Sequence, residues 1–178
     1  AGPVLAKLEF YLQAVWPDLR VLVASVTDQY AAIAVAGPKS RGVMQRLLDI
    51  DISNEAFPFM AVAACNFAGI ADAWLFRISF SGELAYEINL PADYGQAAWN
   101  ALLETGRQDG IVVYGTEAMG TLRIEKGHVA GPEINGQTTL GDLGLGAMQS
   151  KRKQNIGKSL AVRQGLIDRS RPSLVGLV

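Results

Sequence analysis

The sequence predicts an α+β fold in which antiparallel sheets carry packed helices, and three observations support this. Apolar and polar residues alternate with period two in neighbouring pairs of runs. Each group of runs is followed by a segment whose apolar residues recur at helical spacing. The links between paired runs are too short for the crossover that a parallel sheet requires.

The chain is organised around Phe76 to Pro91, which reads as a strand, a one-residue pivot at Gly82 and a second strand. Before the pivot Leu75, Arg77, Ser79 and Ser81 share one face, while Trp74, Phe76, Ile78 and Phe80 share the other. After it Leu84, Tyr86, Ile88 and Leu90 fall opposite Glu83, Ala85, Glu87 and Asn89. Packing explains the apolar set. It does not explain two carboxylates, two aromatics and a glycine within the eight residues from Phe80 to Glu87. Such a group suits a flat heteroaromatic ligand with N–H donors on its edge, because rings stack and a carboxylate accepts paired hydrogen bonds. An amphipathic hairpin with a solvated acidic face is the competing reading.

The remaining elements follow in order. Pro3 to Trp16 has the spacing of an amphipathic helix that Pro17 stops. Val21 to Val26 and Ala31 to Ala36 read as a hairpin about the turn Thr27 to Tyr30. Gly37-Pro38 breaks the strand, and Ser40 opens a helix with Val43, Met44, Leu47 and Leu48 in one stripe. Asp49 to Glu55 is an acidic loop. Val62 to Phe67 and Gly69 to Ile78 form a further pair of strands bending near Ala68-Gly69, and Ala92 to Arg107 is a helix. Ile111 to Tyr114 is strand-like, and Thr116 offers an N-cap to a helix over Glu117 to Lys126. Beyond His128 the composition shifts, with Gly131, Pro132, Gly136, Gly141, Gly144 and Gly146 in an extended loop region. A basic stretch holding Lys151, Arg152, Lys153 and Lys158 leads to a helix-like segment over Ser159 to Gln164. The closing Leu174 to Val178 reads as a strand entering further structure, and the start at Ala1 is already helical in pattern, so a piece of a longer polypeptide is expected. The expected organisation is a partial domain over residues 1–130, then a Gly-rich loop and basic connector over 131–178 leading into a truncated barrel-like subdomain.

At 178 residues, 49% of them hydrophobic and 19% charged, the chain can bury one good core. A net charge of −1 with no basic stripe argues against a nucleic-acid platform. No apolar run approaches the roughly 20 residues of a membrane span, and no signal peptide is evident. One cysteine, Cys65, rules out an internal disulfide and a cysteine metal cluster, so a reducing cytoplasm is the expected compartment.

Other chemistry is weighed and set aside. Asn155-Ile-Gly-Lys-Ser lacks the earlier glycine of a phosphate-binding loop, since Arg152 stands there. The glycines of Gly141 to Gly146 are in the wrong order for a dinucleotide fingerprint. His128, the single histidine, cannot build a His-based metal site, and its place just after a helix suits a cap or surface group better than a base. Cys65 sits where small apolar residues belong, and Ser81 lacks a nucleophile elbow. Lys151 to Lys153 reads as a solvated surface, or as a steering patch for an anionic ligand tail.

Three collinear segments carry a family resemblance: Val26 to Pro38, Ser79 to Ile88 (Ser-Phe-Ser-Gly-Glu-Leu-Ala-Tyr-Glu-Ile), and Gly115 to Gly127 (Gly-Thr-Glu-Ala-Met-Gly-Thr-Leu-Arg-Ile-Glu-Lys-Gly). Together they resemble the aminomethyltransferase (T-protein) family of the glycine cleavage system. Glu125 to His128, Gly136 to Gly146 and Ser150 to Leu160 are similar, within that family, to the C-terminal domain of heterotetrameric sarcosine oxidase alpha subunits.

The resemblance implies a tetrahydrofolate site. The family's pterin-gripping glutamate falls on Glu87, and the aromatic lining the site in related oxidases falls on Phe80. Tyr86 and Arg123 join the expected substrate- and cofactor-binding set, although Tyr86 shares its face with Ile88 and Leu90. The arginine that aminomethyltransferases carry in the helix after Gly115 is replaced by Met119, and Arg123 matches a different family arginine. The family's organising aspartate lies upstream of residue 1, so no catalytic residue and no metal site are expected in this stretch. The implied activity is capture of the one-carbon unit from oxidative demethylation of sarcosine as 5,10-methylenetetrahydrofolate, with the isolated piece inactive and imperfectly stable or oligomeric. FAD, FMN and NAD are implied for other parts of the parent complex, whose beta, gamma and delta subunits are the implied partners. A subunit-scaffolding module with a degraded folate pocket, and a glycine cleavage aminomethyltransferase, remain the alternatives.

Overall fold

The computed structural model describes residues 2–168 and 170–176. It divides into two units, one formed by Ala1–Ser79 with Glu83–Val113 and the other by Phe80–Gly82 with Tyr114–Val178. The division falls at 113–114, ahead of the change in composition near 130, so the helix after Gly115 groups with the glycine-rich segment.

In the first unit a four-stranded antiparallel sheet has the order β1-β4-β3-β2, from β1 (Tyr30–Ala36), β2 (Val62–Phe67), β3 (Ile70–Phe76) and β4 (Ala85–Pro91). The expected antiparallel α+β architecture is therefore present. Alternation along β4 decides which side is core: Tyr86, Ile88 and Leu90 are fully buried, whereas Glu87 and Asn89 are half-buried on the opposite face. Two helices, α2 (Ser40–Gln45) and α3 (Gly95–Gly106), pack against β1 and β4. Val43, Met44, Ala98 and Leu102 bring the helices into the same cluster as Val35, Phe67, Leu75 and Ile88. Each large aliphatic side chain so buried contributes about 1.5–3 kcal/mol.

The turns follow from local chemistry. Ala68 and Gly69 both take positive φ, 51° and 80°, which suits the tight right-twisted hairpin between β2 and β3. The register of that pair shifts between Cys65 and Phe67. Asp49 secures the irregularity, its two carboxylate oxygens accepting from the Asn66 backbone N–H at 2.8 Å and the Asn66 side-chain amide at 2.7 Å. Leu84 O accepts from Gly37 N–H and from the Ser40 hydroxyl, both at 2.9 Å, tying the start of α2 to the approach to β4.

Four local expectations change. Val21 to Val26 is not a strand: it is exposed, Leu22 at 94%, and β1 pairs with β4 instead. A short run without a partner strand gains no ladder bonds, so its β-propensity alone does not hold it extended. The link from β3 to β4 is not a one-residue pivot at Gly82 but an eight-residue loop, 77–84, whose middle three residues belong to the second unit. Ile111 to Tyr114 forms no strand. Thr116 is the first residue of α4 (Thr116–Lys126) rather than its cap, which is the extended Gly115. The first helix, α1 (Gly2–Phe10), continues into a π-type turn over Tyr11–Val15 and buries no residue.

In the second unit α4 ends at Gly127, φ 74°, where Gly127 N–H and His128 N–H donate to Ile124 O and Arg123 O at 2.9 and 2.8 Å. The short α5 (Ile156–Leu160) starts three residues earlier than expected from the sequence, because the Asn155 side chain caps it by accepting from Lys158 N–H at 2.9 Å. Of the expected closing strand, Leu174 to Gly176 is not extended into a sheet, and Leu177 and Val178 lie outside the described residues.

The glycine-rich segment is ordered around Asp142. Its carboxylate accepts from Arg171 Nη2 at 2.8 Å and from Thr139 N–H at 2.8 Å, and its backbone carbonyl accepts from Leu174 N–H at 2.7 Å. The Arg171 bond first, then the Thr139 amide, lowers the Asp142 pKa from the ordinary carboxylate range to about 2.

Two predictions follow from this architecture. Ile88→Ala lowers unfolding stability by about 2–5 kcal/mol, whereas Leu22→Ala changes it by less than about 0.5 kcal/mol, both read from denaturant unfolding of the chain. Because the folded pKa of Asp142 is depressed, its contribution is full above about pH 4 and declines as pH falls towards about 2. Hydrogen exchange at the Thr139 and Leu174 amides accelerates across that window in the native sequence, and is already fast at neutral pH in Asp142→Asn.

Candidate functional site

The face of the sheet turned away from α2 and α3 carries an unusual combination. Cross-strand pairing puts Glu87 of β4 between Ala34 of β1 and Phe76 of β3, and puts Asn89 between Ala32 and Trp74. Directly opposed residues in antiparallel strands stand about 4.5–5.5 Å apart at Cβ. Glu87 thus sits on an alanine floor with an aromatic beside it and Trp74 on the diagonal. Ala32 and Ala34 are exposed, Trp74 is 43% exposed, and Val62, paired with Phe76, is 52% exposed.

The carboxylate itself is half-buried, and its Oε1 accepts from the Asn89 side-chain amide at 3.1 Å. None of the ion pairs among the described residues involves it. A carboxylate offers about four acceptor positions, so most of its capacity faces outward from an apolar surface. Towards the Pro91 end of the same face an open depression of about 450 Å³ is lined by Gln29, Tyr30, Ala64, Asp72, Ala73, Trp74 and Pro91. That volume lies within the range of small-molecule sites. Trp74 is its aromatic wall nearest to Asn89, and Asp72 keeps a positive φ of 60° there.

Tyr86 takes no part in this face. Its ring is fully buried and stacks on Phe57 at 6.5 Å between centroids, and its hydroxyl accepts from Arg41 Nε at 3.0 Å. The physical reason is strand alternation, which sends neighbouring side chains to opposite sides of the sheet. Tyr86 is accordingly a core residue and Glu87 a surface one.

Phe80 and Arg123 belong to the second unit. The Phe80 ring, 40% exposed, lies tilted at 58° against the His128 ring, 4.9 Å between centroids. Arg123 is already matched: its Nη1 donates to Glu133 Oε2 at 2.7 Å and to His128 O at 3.3 Å. Glu133 Oε2 also accepts from Ala130 N–H at 2.7 Å, and that backbone bond, then Arg123, lowers the Glu133 pKa. Met119 is half-buried on α4. Residue type alone does not single out Trp74, Phe76 or Asn89. Their alternation with Leu75 and Ile88 was the available signal, but only the pairing of β3 with β4 sets them beside Glu87.

Cys65 is buried in β2, 8% exposed, and burial first, then the charge of Asp49, raises its thiol pKa to about 11. Such a thiol is a packing group. Among the described residues no cluster of three or more His, Cys, Asp or Glu side chains could hold a metal ion. No helix of the described residues is long and apolar enough to cross a membrane.

Residues 2–153 match the family described as the GCVT N-terminal domain. Over its whole length the chain is 51% identical to sarcosine oxidase subunit alpha of Rhizobium meliloti (strain 1021), and the match covers 18% of that protein. It is 41% identical to the corresponding subunit of Corynebacterium sp. (strain U-96), again over the whole chain and 19% of that protein. Human mitochondrial dimethylglycine dehydrogenase is 34% identical over 75% of this chain and 15% of its own length. The chain therefore spans about a fifth or less of the length of these relatives. Among solved structures, a chain of heterotetrameric sarcosine oxidase from Corynebacterium sp. U-96, in complex with pyrrole 2-carboxylate, shares the fold with a TM-score of 0.52 at 15% identity. The match covers 65% of this chain and 55% of that one.

The raised thiol pKa predicts that Cys65 resists iodoacetamide at pH 8 in the folded protein and reacts fully once denatured. Mass spectrometry of the alkylated peptide reads both outcomes, and rapid labelling of the native chain would show that the thiol is activated.

Proposed function

Because this chain belongs to the GCVT N-terminal domain family, we propose that the uncovered sheet face around Glu87 binds the pteridine ring of tetrahydrofolate. One observation carries the reading: a half-buried carboxylate without a cationic partner among the described residues, with small alanines of β1 on one side and the aromatic side chains of β3 on the other. Placing an ionised group on an apolar surface costs solvation energy, and N–H donors on a ligand edge offset it. The ring N–H and amino group of a pterin supply two donors side by side, and Trp74 and Phe76 supply the surfaces on which a flat ring stacks.

The residues divide the work. Glu87 accepts from the pterin edge, and the Asn89 amide keeps the carboxylate oriented. Ala32 and Ala34 leave the room that larger side chains would fill. Arg123 is consumed in its pair with Glu133, and Tyr86 is structural. Tetrahydrofolate bound at this face would supply the two nitrogens that take up a one-carbon unit, giving 5,10-methylenetetrahydrofolate. The chain's own contribution is positioning and shielding from water.

By analogy with the sarcosine oxidase alpha subunits to which it is similar, the chain would serve within a larger cytoplasmic oxidoreductase. The one-carbon unit would come from oxidative demethylation of sarcosine. FAD, FMN and NAD would be held elsewhere, and beta, gamma and delta subunits would complete the assembly. The matched arginine and the presence of Met119 favour one competing reading, a scaffolding module whose folate pocket has decayed.

Calorimetric titration of the full-length protein with tetrahydrofolate separates the two. Saturable binding is expected, and Glu87→Gln weakens it on the order of tenfold to a hundredfold, the scale of hydrogen bonds to a charged group. Unchanged affinity in the variant would remove Glu87 from the site. No saturable heat in the native protein would leave the scaffold.

A further inference from the structure

The depression at the Pro91 end of the open sheet face lies wholly within the first unit, and its charge arrangement is one that the pterin reading does not use. Its lining holds one carboxylate, Asp72, two aromatic side chains, Tyr30 and Trp74, one amide, Gln29, and no lysine, arginine or histidine. None of the ion pairs among the described residues involves Asp72. At about 450 Å³ the depression has room for a small molecule.

Strand geometry brings these groups together. Between the Cys65–Ala73 and Phe67–Ile70 pairs a single residue of β2, Asn66, faces two of β3, Ala71 and Asp72. Such a bulge re-aims the side chains of the strand that carries the extra residue. Asp72 takes a φ of 60° within it, and aspartate is among the few side chains that tolerate this region. Asp72 and Trp74 are exposed and alternate with buried Ala73 and Leu75, so both belong to the open side of the sheet. Tyr30, paired with Pro91, is exposed on that side too. Because β4 runs between them, β1 and β3 are two strand spacings apart, about 9–10 Å. Pro91 lines the gap and brings no N–H to it.

We infer that this depression binds a small organic cation, an alkylammonium ion whose charged head meets Asp72 and whose apolar body lies between Tyr30 and Trp74. An ammonium gains from a carboxylate through charge-assisted hydrogen bonds and from aromatic faces through cation–π attraction. An anion would meet repulsion from Asp72, and the lining holds no cationic group to offset it. A zwitterionic amino acid carries the same disadvantage at its carboxylate, so the site selects an amine without one. The inference shares Trp74 with the proposed pteridine surface and otherwise rests on different residues.

Titration of the full-length protein with pentylammonium, without folate and followed by saturation-transfer NMR, tests it. Saturable binding is expected. Norleucine, the same ion with a carboxylate beside the ammonium, binds about fivefold more weakly or worse, the scale of one like-charge contact in water. Asp72→Asn keeps the side-chain shape and tolerates the left-handed backbone, so it preserves the fold. It weakens pentylammonium binding about tenfold, the lower end for hydrogen bonds to a charged group, and Trp74→Leu weakens it about two- to fivefold. Glu87→Gln leaves it unchanged. Circular dichroism checks each variant, and the norleucine comparison needs none. Absence of saturable binding overturns the inference, as do norleucine binding equally well, full affinity in folded Asp72→Asn, or a loss in Glu87→Gln instead. If tetrahydrofolate fails to bind while pentylammonium behaves as stated, the folate reading falls and the cation site stands.

Discussion

Hydrogen bonding of β4 between β1 and β3 is the constraint on which the first unit depends. A central strand has both edges occupied, so its register is pinned twice, once by the Ala34–Glu87 pairing and once by Phe76–Glu87. Slipping either ladder by one residue would turn Tyr86, Ile88 and Leu90 to solvent and drive Glu87 into the core. The apolar face thus fixes where the carboxylate goes. Core energetics and placement of the candidate ligand group are the same physical fact seen from two sides of one strand.

Small residues determine what the opposite face can do. Ala32 and Ala34 flank β4 with side chains too short to cover Glu87, so the carboxylate is shielded partly by Phe76 and, among the described residues, accepts from the Asn89 amide. A lysine or arginine at either alanine would have closed the site by pairing with it. The adjoining depression, walled by Trp74 and bordered by Asp72 and Gln29, extends the same face towards the end of the strands. The surface combines aromatic walls with few polar groups, the usual make-up of sites for flat ligands.

The second unit is held by different means. It has no sheet among its described residues and little buried apolar surface, and is organised instead by charged hydrogen-bond centres. Asp142 gathers Arg171, Thr139 and Leu174, while Glu133 gathers Arg123 and Ala130. Backbone and arginine hydrogen bonds lower the pKa of both carboxylates, that of Asp142 to about 2, so the order they impose persists at neutral pH. Gly82 takes a φ of 93°, the left-handed region that favours glycine, and the flexible stem of Lys126 lies close over it.

Much was already decided by residue order. Alternation along β4 separated Tyr86 from Glu87 by face, Ala68-Gly69 marked a hairpin, and the spacing over Ala92 to Arg107 marked a helix, because each signal is local and strong. Tertiary structure decided the rest. Val21 to Val26 has the composition of a strand and no partner, and a strand exists only where another supplies its hydrogen bonds. Gly82 looked like a pivot within one hairpin, but the end of α4 captures the residues around it. Glu87 could be recognised as a carboxylate on the polar side of a strand. That Trp74, Phe76 and two alanines surround it follows from which strands lie alongside β4, and pairing between strands distant in sequence is set by burial of the whole core and not by any one segment.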